Sequence, residues 1–491
     1  MGKCADWIAS LARVAGIGIV VTFALIGYGV GSLRRLVIRD RAARLHHRAR
    51  QRGRLLRWVF ARLGATFIKV GQVMSSRPDL FSPDVIAELR WLQDRVPPFP
   101  FRQVRTIIER ELGAPLEHHF REFSTTPVAA GSVAQVHHAV LASGEEVAVK
   151  VLRPGVLARV RRDGRIMLWG AHIAHALSAR ARAADVVGHV RNLVAGILAQ
   201  TDLRHERNNY ERFRRNFGDT PGLCFPTVDR AHSTRSMLTM EFIHGVRLED
   251  VHADHLPRAA AVIRSSFFAM CFDHGFVHAD LHPGNVLVRA DGVVVFLDVG
   301  LVKSLSRGSL DQMVDFTRCI AVGTAADLVT HLRRYHRYMD GTDWESVARD
   351  AEAFISRLRA RKIVELELSA VVGELFAIAR RHAIRPIPEM TLVLIGMVTN
   401  EGMAKRLDPG ADTLAELARF LGPRMLQVAA AAAPRQRLAR GSRSWQRAPI
   451  DAMCVTGARS KVIVGHPPRL ARTARITARF LAHKASERKN P

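Results

Sequence analysis

Cysteine is scarce in this chain of 491 residues. The five that occur (Cys4, Cys224, Cys271, Cys319 and Cys454) are scattered, odd in number, and never paired at close metal-ligand spacing. A disulfide framework is therefore not the organising device, and a reducing compartment is expected. Aromatic residues are few, at 7%, so the stacking platforms that single-stranded nucleic acid needs are lacking. No DNA- or RNA-reading motif is present, and no nucleic-acid partner is expected. Acidic residues are the third shortage, with 45 Asp and Glu against 73 Lys and Arg, a net charge of +28. Arginine crowds the stretch after residue 33 and the tail after residue 434, which makes an anionic membrane surface the simpler partner. Uncharged apolar runs long enough to span a bilayer are limited to one, and no internal repeat is found.

What is present is ample apolar material. A share of 48% over this length supports a large core in two or three domains. The single long run is "VAGIGIVVTFALIGYGVGSL", Val14–Leu33, with no charge in 20 residues. At about 1.5 Å per residue, a helix of that length crosses a hydrocarbon core. It passes directly into "RRLVIRDRAARLHHRARQRGRLLRW", where Asp40 is the one acid. By the positive-inside rule that block stays cytoplasmic and the short N-terminus lies outside, giving a single-pass anchor in the cytoplasmic membrane. The same arginines suit anionic headgroups.

The rest of the chain divides by pattern. Residues 1–33 are read as the anchor and 34–54 as a basic juxtamembrane segment. Residues 55–127 read as a helical extension, because apolar residues recur at steps of three and four. Within it "SPDVIAEL" offers Ser82 as a cap and Pro83 at the first helical position, "VPPFP" reads as a linker, and Gly113 ends a helix. At "VAAGSVAQVHHAVLASGEEVAVKVL" the period changes to that of a hairpin. Residues 128–245 are thus expected to form a small β-rich lobe with a helical insert. Residues 246–430 are expected to be a larger helical lobe, interrupted by the hairpin "VLVRADGVVVFL" with Asp291-Gly292 as its turn. Residues 431–491 form a basic tail. A small β lobe joined to a helical lobe makes a natural ligand cleft.

The segment "FVHADLHPGN" places His278, Asp280, His282 and Asn285 within eight residues, and Asp298 follows at the end of the next hairpin. A zinc cage on His278 and His282 is disfavoured, because Pro283 and Gly284 make the segment a loop and Cys271 stands alone. Phosphoryl transfer from a nucleotide fits better. It needs a cation on the phosphates, oxygen ligands on magnesium, and a carboxylate near the attacking oxygen. Asp280 can orient or deprotonate the nucleophile, while Asn285 and Asp298 supply oxygens to Mg2+. Lys150 in "VAVK" fits a phosphate-contacting strand lysine, Glu206 can pair with it and hold it extended, and "LDVG" stands where a kinase has D-F-G. Glu241, ending the strand signal "MLTME", is grouped with the nucleotide contacts.

On these motifs the chain resembles the UbiB family of atypical kinases, also called aarF-domain kinases. The resemblance covers roughly residues 55–420. It rests on "FIKVGQVMSSRPDL", "VAAGSVAQVHHA", "VAVK", "HADLHPGN", "LDVG" and "NEGMAKRLDPG". It implies an α+β, bilobal protein-kinase-like fold on a membrane, with ATP and Mg2+ as cofactors. It also implies ATPase or small-molecule kinase activity supporting isoprenoid quinone (ubiquinone) biosynthesis, with quinone-biosynthesis proteins or a prenylated precursor as partners. The loop Ala129-Ala130-Gly131-Ser132 would then lie on the nucleotide. Lys69 and Gln72 of the KxGQ helix would project toward the same pocket and disfavour protein phosphorylation.

Two departures from the family pattern carry expectations. Gln200 stands where the family has the glutamate of an ExD pair completed here by Asp202; a neutral side chain cannot pair with Lys69, so the lid is expected to be held less tightly. Gly131 stands where many members have alanine. A glycine there allows positive φ and closer approach to phosphate, so a stronger preference for ATP is expected. The competing readings are a non-catalytic nucleotide-binding scaffold and a soluble antibiotic or sugar phosphotransferase. The KxGQ helix and the anchor argue against the latter.

Overall fold

The computed structural model describes residues 2–32, 40–75, 81–92, 97–178, 182, 185–338, 341–360, 367–411, 413, 416–417 and 419–421. The basic tail at 431–491 lies outside them.

Helix α1 (Gly2–Ser32) carries the apolar run. Among the described residues it is the one helix long and apolar enough to cross a membrane, over Ala9–Ser32. Near its start Arg13 forks onto Asp163, a fully buried carboxylate, at 2.8 and 3.1 Å, and donates to the Leu63 carbonyl at 2.6 Å. Much of the described part of the basic block is helical. From Arg41 it is helix α2 (Arg41–Leu63), unbroken across the expected boundary at 54. Arginine, alanine and leucine are good helix formers, and the lone acid Asp40 accepts the Ala43 amide at 2.7 Å as an N-terminal cap. Helices α3 (Ala65–Ser75) and α4 (Pro83–Arg90) pack against α2. Pro83 opens α4 as expected, but Ser82 makes no side-chain cap.

The small lobe begins earlier than its sequence pattern suggested. Helix α5 (Phe101–Leu112) ends on Gly113 at φ 73°, and the short α6 (Leu116–His119) leads into strand β1 (Phe120–Phe123), inside the segment expected to be helical. Strands β2 (Ala129–Ala130), β3 (Ala134–Leu141) and β4 (Glu146–Leu152) follow. With β6 (Val228–Asp229) and β7 (Met237–Glu241) the sheet runs β1-β3-β4-β7-β6, with β2 on β3, while β5 (Leu223–Cys224) belongs to a second sheet. The β3–β4 turn uses Gly144 at φ 96°, a conformation that suits glycine. Alternation along β4 fixes what faces the cleft. Val147, Val149 and Val151 meet Val104, Ile107 and Ile108 of α5, whereas Ala148 and Leu152 join the main core on the other face. Lys150 lies between these two in the alternation. Residues 97–100 of "VPPFP" are irregular but not free, because Gln135, nearly fully buried, accepts the Phe99 amide and donates to the Phe99 carbonyl.

Helices α7 (Val156–Leu177), α8 (Val186–Ala199) and α9 (Leu203–Phe217) form the insert. Beyond β8 (Val246–Arg247) comes α10 (Leu256–Phe272), then β9 (Phe276–His278). The expected hairpin follows as β10 (Val286–Val288) and β11 (Val294–Phe296), turned by Gly292 at φ 77°. Strand β12 (Val302–Ser304) pairs antiparallel with β9, an element absent from the sequence reading because each strand has only three residues. Helices α11 (Arg307–Val322), α12 (Ala325–Tyr335), α13 (Trp344–Ala360), α14 (Leu368–Arg381) and α15 (Pro388–Leu407) complete the larger lobe. One apolar core runs from Phe60 and Phe67 through Phe213 and Phe296 to Leu407. The architecture is a bilobal kinase-like fold, mostly helical, with a small antiparallel sheet in the first lobe.

Candidate active site between the lobes

Lys150 is the hub. Its ammonium donates to Glu206 Oε1 and Oε2 at 2.7 and 2.9 Å and to Asp298 Oδ1 at 3.0 Å. Strand β4, helix α9 and the loop after β11 thus meet at one cation. Burial pulls the Lys150 ammonium down, but the Asp298 and Glu206 carboxylates outweigh it and hold its pKa above the ordinary lysine range. Burial lifts Glu206 above the usual carboxylate range, even against Lys150. Asp298 moves the other way: against the desolvation of the cleft walls, Lys150 and Lys69 keep it ionised below that range. Its side chain is 53% exposed, against 6% for Glu206. Glu206 therefore orients the lysine, and Asp298 is the carboxylate with room for a further ligand.

One face of α9 organises this corner. Glu206, Asn209 and Tyr210 lie at i, i+3 and i+4. Asn209 donates to the Val299 carbonyl at 2.8 Å, and the Tyr210 hydroxyl accepts the Asp298 amide at 2.9 Å. Asp298 sits at φ 49°, a left-handed conformation that a non-glycine residue keeps only when its surroundings hold it. Asn209 and Tyr210 were not singled out from the sequence, although their spacing from Glu206 was a usable signal. Gly300 suits a close approach: a Cβ there would lie 3.1 Å from both Asp298 Oδ1 and Glu206 Oε2, and both carboxylates would have to give way.

The loop after β9 supplies the other oxygens. Asn285 donates its amide nitrogen to the Asp280 carbonyl at 3.0 Å, which fixes the flip and leaves Oδ1 as its acceptor. The Leu297 amide bonds the Asn285 carbonyl at 2.8 Å, tying the loop to the residue before Asp298. His278 is buried, accepts the Asp280 amide on Nδ1, and donates from Nε2 to the Leu297 carbonyl. His282 accepts the Gly284 amide on Nδ1. Both imidazoles therefore shape the loop. The acceptors at the cleft, Asn285 Oδ1 and the Asp298 carboxylate, are hard oxygens and fit Mg2+.

Burial pushes His278 below its ordinary value, and does the same to His137, which is fully buried under the sheet. Their depressed folded values contribute stability that is complete above the unfolded value near 6.5 and is lost as pH falls through the folded values. Thermal melts from about pH 8 to about pH 5 should be flat at the alkaline end and fall on the acid side.

The lid helix α3 also reaches the site. Lys69 Nζ lies 3.8 Å from Asp280 Oδ2. Gln72 donates to the Leu92 carbonyl at 3.1 Å, joining the lid to the end of α4. Gln200 caps the end of α8, while Asp202 caps α9 and meets Arg204 and Arg235. The loop at 129–132 is braced by a residue the sequence reading passed over: Arg153 donates to the Gly131 carbonyl at 2.9 Å and to the Pro97 carbonyl at 2.7 Å. Ala129 and Ala130 form β2, and Ser132 is buried. Gly131 corrects one expectation. Its φ is not in the positive region, and a Cβ would meet nothing nearer than 3.5 Å, so alanine fits without strain. Gly131→Ala is therefore expected to fold normally, and its ATP and ADP affinities, measured by titration calorimetry, isolate what the missing methyl does. The Glu241 carboxylate accepts the Thr227 amide at 3.1 Å and the Glu241 amide donates to the Thr227 carbonyl at 2.8 Å, so both groups are engaged within the sheet.

Comparison with known proteins gives the family of the chain. Residues 91–330 match the ABC1 atypical kinase-like domain, and residues 351–412 match the UbiB helical domain. A "Probable protein kinase UbiB" of Marinobacter nauticus is 33% identical over 392 residues, covering 75% of this chain and 69% of that protein. One of the same name from Azotobacter vinelandii is 32% identical, covering 74% and 70%. An uncharacterized protein of Synechocystis is 30% identical over 76% of this chain, and the match spans just over half (55%) of it. Among solved structures, a Mycobacterium tuberculosis protein in complex with erythromycin overlaps with a TM-score of 0.44 at 23% identity, covering 70% of this chain and 91% of that one. By its two domains and these relatives, the chain belongs to the ABC1/UbiB family of atypical kinase-like proteins.

Proposed function

We propose that the protein is a membrane-associated atypical kinase or ATPase that binds Mg-nucleotide and supports isoprenoid quinone biosynthesis. The observation that carries this reading is the single Lys150 ammonium held between Glu206 and Asp298. Magnesium, when bound, would neutralise phosphate charge, and Asn285 and Asp298 would hold it. Lys150 positions the α- and β-phosphates, Glu206 keeps that lysine extended, and Asp280 orients the acceptor hydroxyl or water. Residues 129–132 cover the nucleotide. Lys69 and Gln72 stand on a lid that narrows access to small acceptors rather than peptides. A deletion strain complemented with wild type should recover its quinone profile, and one complemented with Asp298→Asn should not. Equal recovery by both would overturn the catalytic reading.

One contact favours a second reading, a nucleotide-binding scaffold without transfer: Lys69 lies against the Asp280 carboxylate. Unchanged nucleotide hydrolysis by Asp298→Asn would support that scaffold.

The anchor is part of the proposal. Leu11, Ile19, Phe23, Ile26 and Val30 of α1 are each more than half exposed, an apolar face suited to lipid. Gln51 of α2 donates to the Tyr28 carbonyl, so the arginine-rich α2 runs beside α1. That pairing favours a helix lying in the headgroup layer over one that spans. A variant retaining Cys4 as its sole cysteine separates the two. Labelling by an impermeant thiol reagent from outside the cell would establish spanning; labelling only after lysis would establish the interfacial arrangement.

A further inference from the structure

Helices α11 and α12 bring together a thiol, a carboxylate and an imidazole that the nucleotide chemistry does not use. Asp315 and Cys319 lie at i, i+4 on α11, and His331 faces them from α12; one ligand atom of each lies within 4.8 Å of the others. His331 Nδ1 is 3.0 Å from Asp315 Oδ2. The His331 side chain is fully buried, with the rings of Phe316 and Tyr335 centred 5.6 and 5.0 Å away. Its other nitrogen, Nε2, is buried without a hydrogen-bond partner, and so is Nδ1 of His336, whose ring centre is 5.5 Å from that of His331. The buried thiol, carboxylate and imidazole thus form a polar cluster whose hydrogen bonds are only partly made.

We propose that Asp315, Cys319 and His331 bind a zinc ion that braces α11 against α12. The donor set of one sulfur, one nitrogen and one oxygen matches a borderline-soft metal, whereas magnesium and calcium want oxygen alone. Binding displaces one proton, from the Cys319 thiol, which becomes the thiolate ligand. His331 offers Nδ1 to the metal, with the ring proton on Nε2. Burial raises the thiol to about 12 without a metal, so Cys319 is otherwise an inert, protonated residue.

Arg318 borders the cluster, donating to Asp315 at 3.2 Å, to Cys319 Sγ at 3.5 Å and to Asp327 at 3.4 Å. With zinc bound it keeps Asp327 as its partner. The charges of metal, guanidinium, thiolate and two carboxylates then cancel. The site is separate from the nucleotide cleft in its residues, yet α11 begins seven residues after Gly300. A brace there steadies the segment that leaves "LDVG".

The test uses the full chain in detergent. Elemental analysis should find about one zinc per chain in the wild type and less than about a tenth of that in Cys319→Ser and His331→Gln. Cobalt(II) added to metal-stripped wild type should develop a thiolate charge-transfer band, which Cys319→Ser lacks. Asp298→Asn should retain both the zinc and the band. Absence of stoichiometric zinc together with absence of the cobalt band would overturn the proposal and leave a hydrogen-bonded cluster only. Zinc lost with Asp298→Asn, or kept by Cys319→Ser, would overturn it too. If the cluster variants fail to fold, the cobalt band of the wild type decides alone.

Discussion

Asp298→Asn should lower magnesium-dependent ATP hydrolysis by about 10²–10³-fold, the range that one well-placed electrostatic group contributes. Asparagine keeps the size of the side chain and an oxygen for Lys150, so the fold and the Tyr210 bond to residue 298 should survive. What disappears is the negative charge that the Lys150 and Lys69 ammoniums keep ionised. Steady-state phosphate release, followed over a magnesium titration, checks this. The variant should need more magnesium and still not reach the wild-type rate. Glu206→Gln should act differently. That residue is buried and orients Lys150, so its loss should weaken nucleotide binding with a smaller change in magnesium requirement.

Phe213→Ala should destabilise the protein by about 3–5 kcal/mol, the usual cost of emptying a large aromatic from a closed core. Phe213 is fully buried on α9, three residues beyond Tyr210. Its ring lies 4.9 Å from that of Phe225, in a stacked arrangement, and 4.8 Å from Phe276. These neighbours belong to the strand region before β6 and to β9, so one side chain joins the helix behind Lys150 to the strand before Asp280. A thermal midpoint lowered by about 10 °C in a fluorescence melt is the expected reading. The site should loosen with it, because α9 holds Asp298 through Asn209 and Tyr210.

The residues that meet at the cleft were more legible in the sequence than the packing around them. "VAVK", "HADLHPGN" and "LDVG" are short, carry unusual residue types, and sit beside strong period-2 runs. Lys150, Asp280, Asn285 and Asp298 could therefore be picked out before any coordinates. Both hairpins were legible for the same reason, since Gly144 and Gly292 mark their turns. Strand β1 was not, because four residues of "FREF" have too little alternation to compete with the helical pattern before them. The partners of the site were also hidden. Tyr210 and Asn209 look like ordinary helix residues until α9 is placed behind the "LDVG" loop, and Arg153 reads as a solvated cation until its two carbonyl partners appear. The helix that runs across residue 54 was hidden because an arginine-rich block was read by its charge, whereas arginine is also a good helix former. Gly131 shows the converse: its type suggested a positive φ that the backbone does not adopt.

The most direct test is a structure of the protein with a non-hydrolysable ATP analogue and Mn2+, whose anomalous signal locates the metal. The account predicts a manganese peak between the side-chain oxygens of Asn285 and Asp298, with the α- and β-phosphates beside Lys150 and the Lys150–Glu206 pair intact. A peak away from those two residues, or an analogue bound without contact to Lys150, would contradict it.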